Sequence, residues 1–120
     1  MTIQEARDAL MDILSNYVAF TKTDLTLVFD AYLVKDGTGS DFMHDGYRVV
    51  YTKENETADA YIEALANEIG SNYAVRVASS DGLVQLSSFR SGVLRMSARE
   101  LWEEIHRANR QMQGYFQGKK

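Results

Sequence analysis

The sequence predicts an α/β domain in which helices cover both faces of a mostly parallel sheet. Three observations predict it. Helical periodicities alternate with short strand-like runs along the chain. Those runs are nearly continuous in apolar residues, as strands covered on both faces are. The length, 120 residues, holds one domain with a core of useful size.

Thr2 and Glu5 have capping-box spacing, and Ile3, Ala6, Leu10, Ile13, Leu14 and Tyr17 follow at helical spacing. The first helix is therefore expected over about 3–19. Leu25-Thr26-Leu27-Val28-Phe29 is a buried parallel strand by composition, ending at Asp30. Residues 33–47 hold three Gly and three Asp and read as one long loop. An EF-hand fails there, because the twelfth position from Asp36 is Tyr47 and not Glu. Gly37-Thr38-Gly39 is too short to cradle a phosphate.

Arg48-Val49-Val50-Tyr51-Thr52 is the next strand. A second helix starts near Glu56 or Thr57, carries Ala58, Tyr61, Ile62, Leu65 and Ile69 on one face, and stops at Gly70. Ala74 to Ser79 is a third strand, and a short helix is expected over about 82–89. Val93-Leu94-Arg95-Met96 is the last strand. Ser97 and Glu100 form a second capping-box pair and open a helix to about residue 112. The domain thus covers 1–112, and 113–120 is a polar tail that should fray.

Composition removes several classes of function. There are no cysteines, so disulfides, a thiolate nucleophile and Cys-ligated zinc are excluded. His44 and His106 lie too far apart for a metalloprotease helix. No apolar run approaches the ~18 residues needed to span a bilayer, so no membrane partner is expected. The N-terminus lacks the basic-then-apolar layout of a secretory signal, so the expected location is cytoplasmic. Net charge is −4, yet residues 1–89 carry 6 basic and 14 acidic side chains, and residues 90–120 carry 7 and 3. That asymmetry fits a solvated basic helix. That is the plainer reading; the sharper one is an acidic site that needs a cation, beside a strip that meets phosphates.

In parallel sheets ligands sit at the carboxyl ends of the strands. Asp30 ends the first strand and Asp81 ends the third. Glu56, Asp59 and Glu63 share one face of the second helix by their spacing, opposite the Ile62-Leu65-Ile69 stripe. Each has a plain structural use. Asp81 is a good N-cap, and acids in a first turn favour the helix dipole. Together they fit Mg²⁺ or Mn²⁺, which prefer hard oxygen ligands and relieve carboxylate repulsion. Ser79 and Ser80 lack a nearby base, so a serine nucleophile has little support. His44 reads as a polar surface residue of the loop, and Trp102 as packing on the last helix. A receiver-like phosphoacceptor at Asp30 is disfavoured for want of a well-placed Lys.

Four segments occur in a telling order. They are Val28-Phe29-Asp30-Ala31-Tyr32, Tyr51-Thr52 through Glu56-Thr57-Ala58-Asp59-Ala60-Tyr61-Ile62-Glu63, Val77-Ala78-Ser79-Ser80-Asp81 with Gln85, and Gly92-Val93-Leu94-Arg95-Met96-Ser97-Ala98-Arg99-Glu100-Leu101. This series resembles the YacP-like NYN domain, a branch of the PIN-like nucleases, over about residues 4 to 106. The Glu-Thr-Ala-Asp-x-Tyr-Ile-Glu block is its most specific piece. The resemblance implies a three-layer PIN-like fold. It also implies a bacterial, metal-dependent endoribonuclease that hydrolyses RNA with metal-activated water. The family's acids fall on Asp30, Asp59 and Asp81, with Glu63 a further metal ligand and Mg²⁺ or Mn²⁺ as cofactor. Ser80 and Gln85 sit in the matching motif, and Arg90, Arg95 and Arg99 would hold the RNA backbone, with the ribosome a further partner.

The family also opens with a strand bearing Asp-Gly-Tyr-Asn, whose Asp is a principal ligand, and no such strand precedes the first helix here. Asp45-Gly46-Tyr47-Arg48 is similar but misplaced, and it is read as coincidence. A missing central strand leaves its neighbours unpaired and opens an apolar slot. A second copy of the chain could complete the sheet. The alternative to a nuclease is therefore a catalytically impaired relative that binds RNA, the ribosome or a protein.

Overall fold

A computed structural model of the chain describes residues 1–79 and 92–117. Helix α1 spans Ile3–Thr21. Both halves of its capping box form: Glu5 N donates to Thr2 Oγ1 at 3.0 Å, and Thr2 N donates to Glu5 Oε1 at 3.3 Å. Met11, Leu14, Tyr17 and Val18 form its buried stripe. The helix ends where Lys22 turns left-handed, at φ 59°, and its N–H reaches Val18 O.

Strand β1 is Thr26–Phe29, β2 is Ser40–His44 and β3 is Tyr47–Tyr51. β1 pairs parallel with β3, from Thr26 opposite Arg48 to Phe29 opposite Tyr51. β2 pairs antiparallel with β3. The expected long loop over 33–47 is thus corrected, because its second half is one arm of a hairpin. The turn is Asp45-Gly46, with φ of 48° and 86°, the double positive-φ turn that suits a right-twisted hairpin. β2 is hard to see in sequence because it is an edge strand: Ser40 to Met43 are exposed, so no apolar alternation marks it. The Asp-Gly pair was the available signal. It also confirms that Asp45-Gly46 serves the hairpin.

Helix α2 spans Ala58–Ile69, strand β4 Arg76–Ser79, strand β5 Leu94–Ser97 and helix α3 Ala98–Gln117. Thr57 caps α2, its hydroxyl accepting from Ala60 N at 3.1 Å. Gly70 ends it in right-handed backbone, φ −64°, so its glycine freedom is not used. Ser97 and Glu100 cap α3 reciprocally, at 3.0 and 3.1 Å. The helix runs on to Gln117, so half of the tail expected to fray is helical. The short helix expected over 82–89 lies outside the described residues.

The strands form two sheets: one of order β1-β3-β2, the other β4-β5, parallel. The core divides likewise. α1 and α3 pack with Tyr47, Val49, Leu27 and Phe29 on one face of the larger sheet. Ala66 and Ile62 of α2 pack with Val77, Val75 and Val93 around the smaller one. Along β1 the side chains alternate. Leu27 and Phe29 join the α1 side, while Thr26 and Val28 line a cavity of about 450 Å³ shared with α2 and β4. The result is helix, sheet, helix, with the sheet interrupted between β1 and β4.

Candidate functional site

The carboxyl ends of β1 and β3 are tied together at one corner, and the chain runs from the second into α2. Thr52 builds that corner. It is 2% exposed, and its hydroxyl accepts from Ala31 N at 2.8 Å while its own N–H reaches Phe29 O. A threonine at the buried end of a strand is the local signal for such an anchor, and sequence reasoning missed it. Further along, Asn55 N donates to Tyr32 O and Glu54 N to Gly37 O, both at 2.9 Å. The loop after β1 is thus tied to the loop after β3. Asp30 is exposed at this corner, and its Oδ1 accepts from Tyr32 N at 3.4 Å.

Asp59 is half-buried in the first turn of α2, where the helix dipole favours its charge. Glu63 follows one turn later, also half-buried, so these two share a helix face. Glu56 does not join them. α2 begins at Ala58, so Glu56 lies before the cap and accepts from Lys53 N at 3.3 Å. The expected stripe of three acids is reduced to Asp59 and Glu63, because Thr57 caps the helix and Glu56 falls outside it.

Among the described residues no three of His, Cys, Asp and Glu come close enough together to hold a metal ion. Asp30, Asp59 and Glu63 therefore do not make such a group by themselves. Asp81, Ser80, Gln85 and Arg90 lie outside the described residues. The donors in hand are hard carboxylate oxygens, the type that suits Mg²⁺ or Mn²⁺.

The basic side chains of the C-terminal third start where β5 runs into α3. Arg95 on β5 and Arg99 in the first turn of α3 are exposed. Arg99 reaches Glu103 at 3.5 Å, but its side chain is 88% exposed and that pair is weak. Arg107 and Arg110 are exposed further along α3.

Two charged networks tie the layers together, and neither was legible in sequence. Arg76 of β4 donates to Glu104 Oε1 at 2.8 Å and Oε2 at 3.2 Å, and the Tyr17 hydroxyl donates to the same carboxylate. The Arg76 guanidinium, then the Tyr17 hydroxyl, hold the Glu104 carboxyl below its usual value. Burial, then Glu104, pushes the Tyr17 phenol up. This network joins α1, α3 and β4. In the other, Arg48 Nε donates to Asp41 Oδ1 at 2.7 Å, a second nitrogen pairs with Asp41 Oδ2, and Arg48 also reaches the Tyr61 hydroxyl at 3.0 Å. It pins α2 to the hairpin.

Two side residues differ from expectation. His44 ends a strand and sits half-buried, edge-on to Tyr47 at 5.6 Å. Trp102 is 44% exposed, edge-on to His106 at 4.7 Å, so it does not belong to the core.

The layers of helix and sheet are those of a PIN-like α/β domain. The chain belongs to the YacP-like NYN domain family, which it matches over residues 1–120. It is 40% identical over 114 residues to the uncharacterized protein YacP of Bacillus subtilis (strain 168), an alignment covering 93% of this chain. It is similar to the crystal structure of Rae1 (YacP) from Bacillus subtilis, with a TM-score of 0.74 and 35% identity over 95% of this chain. A point variant of that protein gives the same TM-score, with 36% identity over 91% of this chain and 63% of its own. The chain spans 66% of the length of the YacP relative and of the first crystal structure. No helix among the described residues is long and apolar enough to cross a membrane.

Proposed function

We propose that the chain is a PIN-like endoribonuclease domain that depends on Mg²⁺ or Mn²⁺. The observation that carries the reading is the match to this family, with the Thr52 anchor tying the loop after Asp30 to the end of β3 and Asp59 in the capped first turn of the helix that follows. Asp30 and Asp59 would hold the ion, with Glu63 and, by family resemblance, Asp81. A divalent ion there supplies charge for phosphodiester oxygens and a more acidic water. The chain's own part is to place the carboxylates: Asp59 in the capped first turn of α2, and Asp30 in a turn where its Oδ1 accepts from Tyr32 N. Arg95 and Arg99 contribute exposed cations for the RNA backbone, with Arg90 from the same basic stretch of sequence and Ser80 and Gln85 assigned by resemblance. The setting inferred from the family is the bacterial cytoplasm, near the ribosome.

A second reading has its own support. The described residues supply no three-ligand group, and the sheet is interrupted beside the corner. Both favour an RNA-, ribosome- or protein-binding domain with impaired catalysis. Calorimetry with Mg²⁺ and Mn²⁺, followed by RNA cleavage, separates the two. The nuclease reading expects binding and cleavage that Asp30→Ala, Asp59→Ala and Asp81→Ala each remove from a folded chain. Association with RNA but no cleavage in either ion would leave only the binding reading.

A further inference from the structure

The α1 side of the larger sheet carries a row of three aromatic rings, one from each strand. β1 gives Phe29, β3 gives Tyr51 and the edge strand β2 gives Phe42. The register puts them on one face. Phe29 stands opposite Tyr51, and Phe42 stands opposite Val49, two residues before Tyr51 on β3. The Phe29 and Tyr51 ring centroids are 5.0 Å apart. Those of Tyr51 and Phe42 are 6.4 Å apart, with the rings within 16° of parallel. Exposure rises toward the edge of the sheet: Phe29 and Tyr51 are half-buried, and Phe42 is 41% exposed.

Arg7 lies over the inner two rings. It is the only basic residue of α1, and its guanidinium carbon sits 5.4 Å from the Phe29 centroid and 5.5 Å from that of Tyr51. The residue is half-buried, and no carboxylate among the described residues pairs with it. A guanidinium held through its charge by aromatic rings keeps its N–H donors for another partner, and their planar fork matches a phosphate. The row also adjoins the acidic corner: Phe29 is followed by Asp30, and Tyr51 by Thr52. An open ring face beside a cation with unspent donors is complementary to one nucleotide, base on ring and phosphate on guanidinium. The base must be unpaired, because pairing and stacking in a duplex hide its faces.

We propose that Phe42, Tyr51 and Arg7 form a subsite for one unpaired nucleotide of single-stranded RNA. The base stacks on Phe42, which extends the parallel pair of rings, and Arg7 donates to the adjoining phosphate. The strand then leads past Tyr51 toward Asp30. The proposal rests on the nuclease reading for its choice of RNA, but occupancy of the subsite requires no metal.

The test adds a fluorescein-labelled single-stranded RNA decamer to the chain in EDTA, so that no cleavage intervenes, and reads binding by anisotropy. Phe42→Ala is expected to weaken binding by about tenfold, and Phe42→Trp to restore it, in chains with unchanged circular dichroism spectra. Arg7→Gln should lower the slope of log affinity against log salt by about one. An abasic decamer should bind equally to the unaltered chain and to Phe42→Ala. A decamer carrying 5-iodouridine, irradiated on the unaltered chain, should crosslink to Phe42 or Tyr51. Equal binding by Phe42→Ala, equal losses on ordinary and abasic RNA, or crosslinks confined to other residues would each overturn the proposal. So would the absence of RNA binding by the unaltered chain. A homodimer, by light scattering, that Phe42→Ala dissolves while RNA binding stays the same would make a second copy the occupant. The nuclease reading fails separately, when the unaltered chain cleaves no RNA in Mg²⁺ or Mn²⁺ while its binding in EDTA and the Phe42 effects persist.

Discussion

Thr52 shows how one hydroxyl sets the geometry of a site. Thr52→Val keeps the shape but leaves Ala31 N without its partner, an expected cost of about 1–3 kcal/mol. Chemical denaturation should show that loss, and Mn²⁺ titration a weaker affinity, because Asp30 rides on the same loop. Glu104 predicts the pH dependence. Arg76 and Tyr17 lower its folded pKa, so the stability it adds is present above its unfolded value near 4.3 and lost as pH falls through the folded one. The acid limb of the stability profile should flatten in Glu104→Gln, with a loss of about 1–2 kcal/mol at neutral pH. Neither network is readable in sequence, since Tyr17, Arg76 and Glu104 lie far apart and meet only by packing. Asp30 and Asp59 were legible, because strand ends and first helical turns are local features.

Caps and turns decide where each element starts and stops. Thr57→Ala should cost about 1 kcal/mol and loosen the turn that carries Asp59, while Thr57→Ser should restore most of it. Thermal unfolding reads the first effect and ion binding the second. Lys22 holds a left-handed conformation that glycine adopts without strain, so Lys22→Gly should raise stability by about 0.5–1 kcal/mol in the same melts. Both capping boxes were visible in sequence because three-residue spacing is a purely local code. α2 was expected to start as early as Glu56, and the cap at Thr57 is what removes that acid from the helix. β2 went unseen because an exposed edge strand needs no apolar alternation.

The whole molecule is less consolidated than its length allows. Its radius of gyration is 15.7 Å, against about 14 Å for a compact chain of this size. The larger core joins α1, α3 and β3, whereas the smaller rests on Ala66, Val77 and Val93. Amides of β4 should therefore exchange faster than those of β3 in native-state hydrogen exchange. By itself the sequence determined the α/β class, the three helices and four of the five described strands to within about five residues, and the place of Asp30 at the end of a strand. Periodicity, capping and strand composition are written in neighbours along the chain. Only the tertiary structure decided that the described strands pair as β1-β3-β2 and β4-β5, that Arg76 and Glu104 lock the layers, and that a cavity lies among β1, α2 and β4. Pairing between distant segments depends on which edges and faces meet in space, and no local pattern encodes that.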